Sequence, residues 1–248
     1  MSSFALKMIA MATMLIDHIG AVLLPELTLL RVIGRVSFPI FVFLLAEGFC
    51  HTKNAHKFLL RLGAFALISQ PFFDLALGRP IDFFARTNIF YTLFLAGVAI
   101  VVNKYIREKF SKGMYYVLTT GALLTCVAMA EVVLTSDYGA GGVYFIFFMF
   151  ITRRMAMEKK PHSLPLMIVV LIFFGLEQHE WLLTAIGRGF EVPLMFMLMI
   201  PATLLPVLFL PLYNGKRGRD GKVLRWVFYG FYPGHLAVLW LLRFVTFP

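Results

Sequence analysis

Asp17 and His18 stand side by side in the run Met14-Leu15-Ile16-Asp17-His18-Ile19-Gly20, where their neighbours are apolar or glycine. Three further pairs, Arg31 with Arg35, Glu47 with His51, and Gln70 with Asp74, are spaced i to i+4, so on a helix each pair shares one face. An imidazole that is neutral near pH 7 suits the removal of a proton from an amine or hydroxyl. A nearby arginine can offset developing negative charge or bind an anionic donor. Together these groups fit acyl transfer without a covalent enzyme intermediate, with His18 as the general base. Adjacent helical residues point about 100° apart, so Asp17 is expected to pair with Arg31 or Arg35 on the next helix rather than with His18. His235, which follows Tyr232-Pro233-Gly234, is a further candidate, and a satisfied histidine at a Pro-Gly kink is its plain alternative. No Gly-x-Ser-x-Gly elbow and no His-Glu-x-x-His or paired-carboxylate pattern occurs, so no metal is expected and a serine hydrolase is disfavoured. Cys50 and Cys126 sit singly in apolar runs and read as small core residues.

The elements that must position these groups follow from composition. The chain has 248 residues, 60% apolar and 15% charged, against roughly half and a quarter in an ordinary soluble domain. That excludes a soluble globular protein. Apolar runs fall at 6–24, 32–50, 58–77, 88–103, 114–134, 139–152, 164–177, 192–212 and 224–242. They predict an all-α polytopic membrane bundle of about nine helices, within a range of about eight to ten, forming a single domain over residues 1–248. Residues 78–88 and 135–152 are the uncertain stretches of this count. The net charge of +10 is scattered in short clusters between the runs, which points to topology rather than to nucleic acid. Lys and Arg gather in alternate loops, after the second, fourth, sixth and eighth runs. The loops between carry Pro25 and Glu26, Asp137, and Glu177, Glu180 and Glu191. By the positive-inside rule the N-terminus is expected in the cytoplasm, in a multi-pass protein of a bacterial inner membrane. Lys7 precedes an apolar stretch as in a secretory signal, but Asp17 and His18 interrupt it, so the stretch reads as a retained first span.

Charge at bilayer depth costs several kcal/mol unless it faces protein or water, which makes each such residue a functional candidate. Plainer readings stand beside some of them. Glu47 with His51 also reads as a snorkelling helix end, and Arg31 as an interfacial anchor. The loop Tyr213-Asn214-Gly215-Lys216-Arg217-Gly218-Arg219-Asp220-Gly221-Lys222 combines turn residues with cations. Lys216 and Arg217, with Lys53, Lys57 or Arg61, could bind the phosphates of a coenzyme A donor or touch anionic lipid.

The ordered set Leu6-Lys7, Asp17-His18-Ile19-Gly20, Leu30-Arg31-Val32-Ile33-Gly34-Arg35, Phe38-Pro39-Ile40-Phe41, Ala46-Glu47-Gly48-Phe49, His51-Thr52, Leu60-Arg61 and Ser69-Gln70-Pro71-Phe72-Phe73-Asp74 resembles the TraX family. The likeness continues through Asn88-Ile89-Phe90, Asp137-Tyr138-Gly139, Tyr213-Asn214-Gly215-Lys216-Arg217-Gly218 and Phe231-Tyr232-Pro233 with His235-Leu236. TraX proteins are associated with acetylating the N-terminus of conjugative pilin, and are similar in turn to the acyltransferase-3 proteins and the lysosomal heparan acetyltransferase. The resemblance implies a catalytic intramembrane histidine, here His18, with acetyl-CoA as co-substrate from the cytoplasm and a pilin-like acceptor. It also marks Arg31, Arg35, Glu47, His51, Gln70 and Asp74 as family positions without individual roles. Acetylation of a glycan or lipid is the nearest alternative. A proton-coupled transporter running through Asp17, His18, Arg35, Glu47 and Asp74 is a second, against which the crowding of polar residues into the first third of the chain counts. A non-catalytic assembly partner is a third.

Overall fold

The computed structural model describes residues 1–177, 180–189, 193–219 and 221–246, and every regular element among them is helical. Glu191 and Asp220, read above as loop charges, lie outside the described residues. The first helix, α1 (Ser3–Val22), is capped by the Ser2 side chain, which accepts from the Ala5 amide. Its amides at Ser3 and Phe4 donate to the carbonyls of Lys216 and Arg217, so the basic loop is tied to the start of α1.

The second apolar run is two helices, α2 (Thr28–Gly34) and α3 (Ser37–His51), with a break at Arg35 and Val36. Pro39 accounts for the break. A continuous helix would require its nitrogen to donate to the Arg35 carbonyl, and proline has no N–H. Arg31 lies in the last turn of α2 and Arg35 caps it in right-handed helical conformation, so both guanidiniums stay near Asp17, as their i to i+4 spacing leads one to expect. Next come α4 (Ala55–Ala76), capped by Asn54, and α5 (Ile89–Lys109), capped by Asn88. Helix α6 (Lys112–Ala128) runs on as a π-helical turn over Met129–Val133, and α7 (Gly139–Met157) begins at the glycine-rich entry.

After α8 (Ser163–Glu177), a short helix α9 (Glu180–Gly187) occupies a stretch that the charges had marked as loop. The eighth run descends in steps, α10 (Leu194–Met197), α11 (Met199–Leu204), α12 (Pro206–Phe209) and a 3₁₀ turn at Leu210–Leu212. Pro201, Pro206 and Pro211 each remove an amide that a continuous helix would use. The last helix is α13 (Lys222–Thr246). By length and composition 7 helical segments can cross a membrane: Ser3–Val22, Thr28–His51, Ala55–Ala76, Ile89–Lys109, Lys112–Val133, Gly139–Met157 and Leu194–Leu212. The shorter apolar helix Ser163–Leu176 and the 25-residue α13 complete the bundle.

Six of these helices close a ring. Around it α1 packs on α3, α3 on α7, α7 on α5, α5 on α4, α4 on α13, and α13 returns to α1. Outside the ring α6 lies against α5 and α7, and α8 against α7. Fully buried Phe43, Phe49, Ile100, Ile146, Met149 and Phe150 fill the α3–α5–α7 side. On the opposite side α1 and α2 approach at glycines. A Cβ on Gly20 would stand 2.8 Å from Leu30 Cβ, and one on Gly34 would stand 2.1 Å from Asp17 Oδ1. Gly34→Ala is therefore expected to destabilise the bundle by about 1–3 kcal/mol through overpacking. Gly121→Ala, which meets nothing within 4 Å, should leave the melting temperature in detergent unchanged; equal melting of the two variants would show that α1 and α2 need no close approach.

Candidate functional site

A cavity of about 110 Å³ lies inside the helix ring, with room for several water molecules. It is walled by Met11, Met14, Asp17 and His18 of α1, Ser37, Phe38 and Phe41 of α3, and Phe228, Phe231 and Tyr232 of α13. Ile89, Phe90 and Leu93 of α5, with Gly34, Asp137 and Tyr138, close it. Its walls are largely apolar and rich in aromatic rings, and its charged and imidazole groups are Asp17, His18 and Asp137.

His18 meets His235 across the seam between the first and last helices, with Nδ1 of His18 2.9 Å from Nε2 of His235. The other nitrogen of His235, Nδ1, lies 2.7 Å from the Phe231 carbonyl one turn earlier. The Phe231 ring stacks on His235 at 4.9 Å between centroids, and Tyr232 packs edge-on to both imidazoles. The His18 ring also has a hydrogen bond to the backbone of Met14, one turn earlier on α1.

Asp17 pairs with Arg31, whose Nη1 donates to the carboxylate and, at 3.2 Å, to the Asp17 carbonyl. Of the two expected partners it is Arg31 that makes the contact. Oδ1 of Asp17 and Nε of Arg35 are buried with no hydrogen-bond partner among the described residues. Asp137 enters from the turn between the π-helical segment and α7. The turn is seated by the Asp137 amide donating to the Thr87 carbonyl at 3.0 Å and by Tyr138 stacking on Phe38 at 3.6 Å. Gly142 permits that seat, since a Cβ there would lie 2.5 Å from Tyr138 Cβ and 2.7 Å from Thr92 Cγ2. Asp137 is accessible at the cavity wall while protein crowds around it, and that crowding pushes its carboxyl up to about 6; Arg35 draws it down and Asp17 pushes it up.

The remaining sequence candidates form two other polar groups. Gln70 donates to Asp74 Oδ2 at 2.9 Å and accepts from the Asn88 amide and side chain at 2.9 and 2.8 Å. Asp74 also accepts from the Asp82 amide at 3.0 Å. These buried residues fasten the 77–88 loop to the start of α5. Glu47 is the centre of the second group. Its Oε2 accepts from Arg153 Nε and Nη2 at 3.0 and 2.6 Å, and its Oε1 lies 3.1 Å from both the Tyr213 hydroxyl and His51 Nε2. Glu47 is buried, so it joins α3 to α7 and to the basic loop and is not a snorkelling end, whereas His51 is exposed. Burial and the Glu47 carboxylate push the Tyr213 phenol up to about 12, which keeps it a donor. Lys216 and Arg217 follow on the surface. Arg61 sits over the Phe58 and Tyr229 rings at 5.7 and 5.8 Å. From the basic loop to His18 the distance along α1 is about 22 Å, at 1.5 Å per residue.

Comparison with known proteins agrees with this architecture. The model of the family described as "TraX protein" matches residues 2–243. The chain belongs to the TraX family. It is 33% identical over 252 residues to the "Probable fimbrial assembly protein FimC, serogroup H1" of Dichelobacter nodosus, covering 96% of this chain and 94% of that protein. An uncharacterized protein of Rickettsia prowazekii (strain Madrid E) is 33% identical over 90 residues, which is 36% of this chain and 33% of the relative. No solved structure matches significantly. This TraX protein adds to the sequence candidates Asp137 and Tyr138 in the cavity wall and Arg153 and Tyr213 around Glu47. In the sequence Asp137 registered as a loop charge and, with Tyr138, in the TraX-like run Asp137-Tyr138-Gly139 without a role, and the buried partner that Glu47 requires was the available sign of Arg153.

A carboxyl raised in the folded state holds its proton longer than in the unfolded chain, so ionising Asp137 costs folding energy that is absent below about pH 4 and complete above about pH 6. Asp137→Asn should therefore gain melting temperature over the parent as pH rises from about 4 to about 7.5. A difference that stays flat across that range in detergent melts would mean that a cation neutralises Asp137.

Proposed function

We propose that this TraX protein is a membrane-embedded acetyltransferase. It carries an acetyl group from cytoplasmic acetyl-CoA to an amine or hydroxyl, with the N-terminus of a pilin-like protein as the favoured acceptor. The observation that carries the reading is that His18 lines the cavity inside the helix ring with its Nδ1 held by His235. Membership of the TraX family and the likeness to a protein named for fimbrial assembly support the pilin-like acceptor.

In this reading the N-terminus and the basic loop face the cytoplasm of a bacterial inner membrane. Lys216 and Arg217 hold the phosphates of the donor, and Tyr213 and Glu47 hold the loop that carries them. The long arm of the thioester then runs along α1 to the level of His18. The acceptor nitrogen or oxygen attacks the acetyl carbonyl while His18 Nε2 takes its proton. The new bond to carbon forms, the C–S bond breaks, and the leaving thiolate recovers the proton from the imidazolium. In this reading Arg35, whose Nε is without a partner among the described residues, would offset charge on the carbonyl oxygen, while Arg31 pairs with Asp17. The apolar walls exclude competing water from the thioester.

The test is transfer of labelled acetyl from acetyl-CoA to a pilin-like N-terminal helix in proteoliposomes. His18→Ala should lower turnover by about 10²–10⁴-fold while calorimetry still detects acetyl-CoA binding. Undiminished transfer in that variant would remove His18 as the base, and absence of both binding and transfer in folded parent protein would remove the acetyltransferase reading.

A further inference from the structure

The geometry points to His235 as the residue that decides which nitrogen of His18 carries its proton, holding His18 as the Nδ1–H tautomer with Nε2 as its basic nitrogen. The reasoning runs from a group whose hydrogen-bonding role is not adjustable. The Phe231 carbonyl can only accept, so the His235 nitrogen 2.7 Å from it, Nδ1, must be the N–H. A neutral imidazole has one N–H, which leaves His235 Nε2 as a lone pair. That lone pair faces His18 Nδ1 at 2.9 Å, and two lone pairs would repel at this distance, so His18 Nδ1 carries a proton and donates it. His18 Nε2 is then the lone-pair nitrogen, and the Met14 backbone, which also bonds the His18 ring, can accept only the Nδ1 proton. The order of donation is His18 to His235 to the α13 backbone.

His235 is built to hold this orientation. It is buried, its ring is stacked on Phe231, and Tyr232 lies against it. Pro233 withholds an amide from the Tyr229 carbonyl, loosening the α13 turn just before His235. A neutral acceptor also suits the surroundings. Asp17 and Asp137 already bring carboxylates to the cavity against Arg31 and Arg35, and a third would add buried charge to a site at membrane depth. An imidazole orients His18 without changing that balance, and it accepts a stronger hydrogen bond when His18 becomes cationic. His235 thus acts through His18 and touches no reacting atom.

The catalytic consequence rests on the acetyl-transfer reading, while the tautomer does not. The experiment therefore reads both. Nitrogen-15 spectra of histidine-labelled protein in detergent, with the His18 signals assigned by subtraction of a His18→Asn sample, distinguish Nδ1–H from Nε2–H. The parent should show His18 with Nδ1 protonated. His235→Leu, which removes the acceptor, should shift His18 toward the Nε2–H form and lower kcat by about 10–100-fold with KM for acetyl-CoA unchanged, the scale of losing a group that orients a functional histidine. His235→Gln, whose amide oxygen can accept the same proton, should keep the parent tautomer and most of the rate. A His18 spectrum that is Nε2–H in the parent, or unchanged in His235→Leu, would overturn the assignment, as would a glutamine variant as impaired as the leucine one. Should no acceptor be acetylated at all, the spectra still decide the role of His235.

Discussion

A carboxylate at membrane depth needs a cation close to it, because neither lipid nor an apolar wall can solvate the charge. In this protein Arg31 supplies the cation for Asp17, and much of the local architecture follows from bringing them together. Gly34 has no side chain where the carboxylate passes, and Gly20 has none where α2 crosses α1. The short α2 delivers the guanidinium, and the break at Arg35 and Val36 redirects the chain into α3 so that Phe38 and Phe41 can face the cavity. His18, the next residue after Asp17, is thereby fixed in height and rotation on α1.

The other buried polar groups divide the work of holding the ring. Gln70, Asp74 and Asn88 saturate one another and the nearby backbone, so they behave as a clasp between α4 and α5 with little capacity to spare for a ligand. Glu47 does the same at the opposite end, where its two oxygens have partners on α3, α7 and the basic loop. Between these groups lies the cavity, in whose wall Asp17 Oδ1 is left without a partner among the described residues.

Much of this was readable from single residues. An imidazole beside a carboxylate in an apolar run has no packing explanation, so His18 stood out, and the need for a counter-ion pointed to Arg31 or Arg35. The membrane class followed from the apolar runs, each of which carries a helix. What stayed hidden has physical causes. Helical spacing relates residues within one helix, whereas His18 and His235 are 217 positions apart and meet only because the ring closes. Asp137 owes its place to a turn seated by a main-chain bond to Thr87 and by the absence of a side chain at Gly142, neither of which has a periodic signature. The break between α2 and α3 had its own sign in the sequence, the missing amide of Pro39. The helix α9 fell in a stretch whose acidic residues resembled a loop.

The ring is sealed by its first and last members, and this bears on how the protein is born. At about 5–20 residues per second, roughly ten to forty seconds separate synthesis of His18 from that of His235. Throughout that interval α1 is in place while the wall it needs from α13 has not been made. A ribosome that stalls, or a message cut short, leaves a fragment with the imidazole but without its partner or its enclosure. Synthesis of α13 thus doubles as a licence for the site.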